Sequence, residues 1–198
     1  MNLPNKLTLF RIILVPIMVI ISFFNIPGSF LGISTTMWIL EIIFIIASIT
    51  DKLDGHLARK NNQITNFGKF LDPIADKILV VATMIMFVEF GKLPAWIPII
   101  VIFREFVVSG YRLIAVQSEG KVVAANIWGK TKTVTQMIAI ILMFLDNNAY
   151  GELFKGGLSG FAFAMNLATT LIMTISVIAT IFSGYEYLKD GKDLLKDC

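Results

Sequence analysis

Cysteine, histidine and charge are all scarce in this chain. Its one cysteine, Cys198, is the last residue, so no internal disulfide can form and the redox compartment is left unmarked. Its one histidine, His56, lies far from that cysteine, leaving no cluster of the nitrogen and sulfur ligands that zinc prefers. Charged residues make up 16% of the chain, against about 25% in a soluble domain. A basic run interleaved with aromatics is also missing, which argues against nucleic-acid binding. What fills the chain instead is 56% hydrophobic residues, with a mean hydropathy of +0.77. This composition predicts a polytopic membrane protein. There is no internal repeat and no appended soluble domain, so residues 1–198 read as a single integral-membrane domain.

The apolar runs fall at 1–24, 33–50, 78–90, 96–114, 134–145 and 161–182. A span needs about 20 residues, so the shorter runs extend into polar flanks, and the third starts near Phe67. The reading is an all-α bundle of six transmembrane helices. The first run follows basic residues as a signal peptide would, but no small-x-small cleavage site follows it, so it is expected to remain. Pro4 and Asn5 precede a helix start, and Leu7, Phe10 and Ile13 form an apolar stripe beside Lys6 and Arg11. That pattern predicts a short interfacial segment turning into the first span. Six spans place both termini on one side. All lysines and arginines except Lys92, Lys155 and the intramembrane Arg104 fall there too, which makes it the cytoplasmic face of the cell membrane. Trp38, Trp96 and Trp128 are expected at span ends.

One polar stretch organises the rest. It runs Asp51-Lys52-Leu53-Asp54-Gly55-His56-Leu57-Ala58-Arg59, passes Gly68, and closes on Asp72-Pro73-Ile74-Ala75-Asp76. On a helix, spacings of three and four put each pair of carboxylates on one face, about 5–6 Å apart. A hydrophobic segment ends into the first pair and another leaves from the second. Four carboxylates converging there would repel one another without cations. Donors that are all hard oxygens favour Mg²⁺ or Mn²⁺, and four carboxylates can neutralise two dications. Gly55 and Ala58 leave one helix face without bulk, suited either to a close-lying nucleotide or to tight helix packing. Arg59 can fork onto a phosphate.

These residues resemble the signature of the CDP-alcohol phosphotransferase family, D-x2-D-G-x2-A-R-x8-G-x3-D-x3-D, at every fixed position. The Pro4-Asn5-x-Leu7-Thr8-x-x-Arg11 pattern is similar to the family's N-terminal segment. The resemblance implies a metal-dependent enzyme in which an acceptor hydroxyl attacks the phosphorus bearing the lipid group, and CMP leaves. It implies that Asp51, Asp54 and Asp72 hold the metals and that Asp76 is the base, a further ligand, or both. It implies CDP-lipid contacts from Asn5, Asp54, Gly55, Ala58, Arg59, Thr65 and Gly68. It also implies a homodimer, which composition alone does not show.

Two basic clusters remain. Arg104-Glu105-x3-Ser109-x2-Arg112 lies on the fourth span, where charges are costly and face the bundle interior. Arg104 is expected to pair with Glu41. Gly129-Lys130-Thr131-Lys132-Thr133 opens the fifth span and suits either a phosphate or a membrane-surface anchor. Both patterns look like the branch of the family that makes phosphatidylglycerophosphate. The expected substrates are therefore CDP-diacylglycerol and sn-glycerol 3-phosphate, the latter's phosphate held by Arg112, Lys130 and Lys132. The alternatives are another acceptor (an inositol phosphate, serine or phosphatidylglycerol) or, from another class, a divalent-cation transporter. Acids clustered at one membrane face, not spaced across it, speak against the transporter.

Overall fold

A computed structural model describes residues 2–60, 66–119 and 127–190, with side chains at 2, 5–51, 71, 74–112 and 127–189. Six α-helices lie among the described residues: α1 Leu3–Ser22, α2 Thr35–Lys60, α3 Asn66–Glu89, α4 Trp96–Glu119, α5 Ile127–Leu145 and α6 Gly160–Asp190. Among the described residues two helices, through Asn5–Ser22 and Gly160–Lys189, are long and apolar enough to cross a membrane by length and composition alone. α2 to α4 are less apolar because they carry more charges, including Glu41, Asp51, Asp76, Arg104 and Arg112.

The outer faces are apolar. Ile13, Ile17 and Ile20 on α1, Ile42, Ile46 and Ile49 on α2, and Ile99, Phe103 and Phe106 on α4 form exposed stripes at helical spacing. The buried set, in contrast, holds Glu41, Thr83, Gln136, Asn166, Thr169 and Thr180. These polar residues lie within a core that is otherwise apolar, and exposed apolar stripes of this kind suit association with a membrane.

The chain divides into two compact units, Met1–Gly91 with Met143–Asn147, and Lys92–Leu142 with Asn148–Cys198. In the first, α1 packs along both α2 and α3, and among the described residues α2 and α3 also touch. Leu40, Phe44 and Ala47 line the inner seam of α2, and Phe144 sets its ring 6.0 Å from Phe44 and 4.6 Å from Phe87. α1 runs unbroken from Leu3, so the separate interfacial segment expected from the sequence is instead its opening turns. The face it buries is Asn5, Thr8 and Arg11, not the Leu7–Phe10–Ile13 stripe. An apolar stripe turned outward and a polar one inward suit association with a membrane.

A small hairpin joins α1 to α2, pairing β1 (Ser29–Phe30) with β2 (Ile33–Ser34) in antiparallel register Phe30↔Ile33. Leu31 and Gly32 both have positive φ, 54° and 79°, the geometry of a two-residue turn between twisted strands. Ser34 then caps α2, its hydroxyl accepting the Met37 N–H at 3.3 Å. The apolar run that begins at residue 33 thus opens on β2, and its helix starts at Thr35.

In the second unit α4 packs on α6. The inner seam of α6 is small and polar: Asn166, Thr169, Thr170, Ser176, Thr180 and Ser183 are all buried. Thr169 and Thr180 satisfy their hydroxyls by donating to carbonyls one turn back, at 2.9 and 2.7 Å. Small residues of this kind let membrane helices approach closely. A Cβ placed on Gly184 would meet the Arg104 side chain at 3.5 Å. The loop before α6, with a short 3-10 turn at Glu152–Lys155, is fastened to this helix. Asn166 donates to the Ala149 carbonyl and accepts the Leu153 N–H, both at 2.9 Å, and Thr170 accepts the Gly151 N–H at 3.0 Å.

Candidate active site

In the first unit the inner seams change character at one end. α1 passes from Met18 and Val15 to Arg11, Thr8 and Asn5. α2 passes from Leu40, Phe44 and Ala47 to Asp51, and on α3 Asp76 precedes the buried Leu79, Met84 and Phe87. The polar ends meet where Arg11 Nη1 lies 2.5 Å from Asp51 Oδ1. The Arg11 side chain is fully buried, and that of Asp51 is 38% exposed. A buried cation is costly unless paired, so this contact fixes the register of α1 against α2. It also aims the Asp51 carboxylate while leaving part of it open.

Asp76, half-buried, lies on α3 with polar interactions of its own. The backbones of Asp54, Gly55, Ala58 and Arg59 continue α2, and those of Gly68 and Asp72 belong to α3. Their side chains, and Thr65 altogether, lie outside the described residues. Among the described residues no three acids, histidines or cysteines gather as metal ligands, and two of the four aspartates are not in that set. Asn5 is buried on the same α1 face as Arg11. Arg11 is the residue that sequence reasoning left without a role. The signal was present in the i, i+3, i+6 spacing of Asn5, Thr8 and Arg11.

The second unit holds the basic cluster. Glu105 Oε1 accepts from Arg104 Nη1 at 3.0 Å and from Lys132 Nζ at 2.5 Å. Arg104 Nη2 also donates to Ser183 Oγ at 2.5 Å. The ion partner of Arg104 is thus its own neighbour, where the sequence reading expected Glu41. Adjacent residues on one helix need no interhelical register to meet. Arg112 is exposed, and its Nη2 donates to the Tyr187 hydroxyl at 2.8 Å. Lys130 is exposed and Lys132 is buried against Glu105. One carboxylate shared between Arg104 and Lys132 leaves this cluster strongly positive. Among the described residues, no acid pairs with Arg112 or Lys130.

The family profile of CDP-alcohol phosphatidyltransferases matches residues 1–182. The chain belongs to that family. A Bacillus subtilis CDP-diacylglycerol–glycerol-3-phosphate 3-phosphatidyltransferase is 44% identical to it, over 98% of this chain and 97% of its own length. A Haemophilus influenzae protein of the same name is 38% identical, over 99% and 96%. A probable phosphatidylglycerophosphate synthase of Mycobacterium tuberculosis is 35% identical, over 94% of this chain and 80% of its own length.

Proposed function

We propose that this chain is a phosphatidyltransferase that moves the phosphatidyl group of CDP-diacylglycerol onto sn-glycerol 3-phosphate, giving phosphatidylglycerophosphate and CMP. The observation that carries this reading is the end-to-end likeness to relatives bearing that activity in their names, 32–44% identical without large gaps in coverage. Arg112 and Lys130, which pair with no acid among the described residues, support a phosphorylated acceptor over a neutral one.

The acceptor's primary hydroxyl oxygen bonds to the phosphorus carrying the diacylglycerol, and the bond from that phosphorus to the CMP oxygen breaks. Asp76 takes the hydroxyl proton. Asp51, Asp54 and Asp72 hold one or two Mg²⁺ or Mn²⁺ ions, a role suited to an all-carboxylate donor set. When bound, the metal offsets charge on the pyrophosphate and on the leaving CMP. Arg11 keeps Asp51 in place, as their 2.5 Å contact supports. Asn5, Asp54, Gly55, Ala58, Arg59, Thr65 and Gly68 receive the CDP head group while the acyl chains stay in the bilayer.

Arg112 and Lys130 hold the acceptor phosphate, with Lys132 contributing from its place on Glu105. A charge-assisted phosphate contact is worth about 1.5–3 kcal/mol, so losing one should weaken acceptor use at least tenfold. Arg112→Ala and Lys130→Ala are expected to raise the KM for glycerol 3-phosphate by that factor and to leave the KM for CDP-diacylglycerol within about twofold. The assay is CMP release with each substrate titrated. Loss of CDP-diacylglycerol affinity with acceptor affinity intact would assign the cations to the donor.

The same reading makes all six helices transmembrane in one integral-membrane domain, with both termini and the acidic site on the cytoplasmic side of the cell membrane. Cys198 should therefore resist impermeant thiol reagents in intact cells and react once they are opened; labelling from outside would reverse the topology. The working form is a homodimer, and a fully active monomeric mass in mild detergent would show that dimerisation is dispensable.

A further inference from the structure

We propose that Tyr187, on α6, is a positioning residue for the acceptor phosphate, its hydroxyl and ring together holding the Arg112 guanidinium ready to bind it. This rests on the assignment of Arg112 to the acceptor. Tyr187 is 3% exposed, so its ring is fixed by packing, in part by the edge of Tyr111 with ring centres 5.8 Å apart. Two guanidinium groups lie over that one ring, the Arg104 and Arg112 carbons 5.9 and 5.5 Å from its centre. They are held differently. Arg104 is paired with Glu105 and donates to Ser183, so its charge is offset where it stands. Arg112 is exposed, and among the described residues its partners are neutral, the Tyr187 hydroxyl at 2.8 Å and the ring face.

That difference assigns the roles. A surface arginine with a neutral partner keeps its full charge, and one N–H given to a phenol leaves four others for an anion. An arginine side chain is otherwise long and mobile, and ordering it on binding would weaken the phosphate contact. A buried phenol removes most of that motion before the acceptor arrives, at no cost in charge. An aspartate or glutamate in the place of Tyr187 would also fix the arginine, but would cancel the charge the phosphate needs. The Ser183–Tyr187 face of α6 thus holds Arg104 through Ser183 and presents Arg112 through Tyr187.

The test uses the full-length enzyme in mild detergent, with CMP release measured while each substrate is titrated. Tyr187→Phe removes the hydroxyl and keeps the ring. It should raise the KM for glycerol 3-phosphate about 3- to 10-fold, with kcat and the CDP-diacylglycerol KM within about twofold of wild type. Tyr187→Leu, which loses both contacts, should raise it further. The Tyr187→Phe/Arg112→Ala double variant should match Arg112→Ala alone, since there is then no guanidinium to hold. Tyr185→Phe, exposed two residues away, should behave as wild type. If Arg112→Ala raises the acceptor KM but Tyr187→Phe does not, or if the two effects multiply, Tyr187 only packs and the inference is wrong. If Arg112→Ala leaves the acceptor KM unchanged, the acceptor assignment itself fails and takes this inference with it.

Discussion

Asp51→Asn, Asp54→Asn and Asp72→Asn are each expected to lose nearly all turnover, and a chelator should do the same to the wild-type enzyme until Mg²⁺ or Mn²⁺ is returned. Each substitution keeps the side chain's size and removes a negative charge from the proposed metal site. A bound dication contributes several kcal/mol where charge builds in the transition state, and about 1.4 kcal/mol is a factor of ten. The drop should therefore be roughly a thousandfold. Asp76→Asn should fall by roughly 10²- to 10⁴-fold as a lost base does, yet retain CDP-diacylglycerol binding if proton transfer is its main work. Comparing turnover with donor binding in the four variants separates the two roles. Full activity of Asp72→Asn in metal-stripped buffer would rule out the carboxylate–metal reading altogether.

Arg11→Ala should be the most damaging change outside the acidic signature. The guanidinium is fully buried against Asp51, so its removal leaves both a void and a half-buried carboxylate without its partner. Breaking a buried pair costs about 3–5 kcal/mol, and the 38% exposure of Asp51 places this case at the lower end. For a chain of this length that corresponds to a fall in Tm of roughly 6–12 °C. Turnover should fall at least tenfold as well, because Asp51 loses the contact that aims it. Arg11→Lys retains the charge without the planar fork and should lie in between. Thermal unfolding in mild detergent, read beside initial rates, tests both effects. A variant with unchanged Tm and unchanged rate would mean that the pair does not support the site.

The helices were legible because hydrocarbon demands long apolar runs, and the aspartates because their spacing has so few other uses. The side each helix buries was not legible by the habits of soluble proteins. On α1 the Leu7, Phe10 and Ile13 stripe suggested a surface-lying segment and left the opposite face unread, yet Asn5, Thr8 and Arg11 on that face turn inward. The pairing of Arg104 was missed for a related reason: depth in the membrane suggested Glu41, and the neighbouring Glu105 satisfied the charge first. Tyr187 carried no sequence signal at all. Its role exists only because α4 and α6 lie side by side, and no spacing within one helix encodes that. The hairpin at Ser29–Ser34 escaped notice because Leu31 adopts the left-handed backbone that glycine or asparagine would have advertised.

The placing of α1 between α2 and α3 has a consequence for the order in which the protein is made. α1 leaves the ribosome first, and its Arg11 is drawn toward a partner that has not yet been synthesised. At about 5–20 residues per second, Arg11 waits some seconds for Asp51 and slightly longer for α3. During that interval a helix with a cationic inner face has nothing to cover it but lipid, water or the insertion machinery. α1 packs along both α2 and α3, so each of them closes on the helix that preceded it. The first helix is therefore a template, and supplying it as a separate peptide to a chain that lacks it should restore more than a missing span.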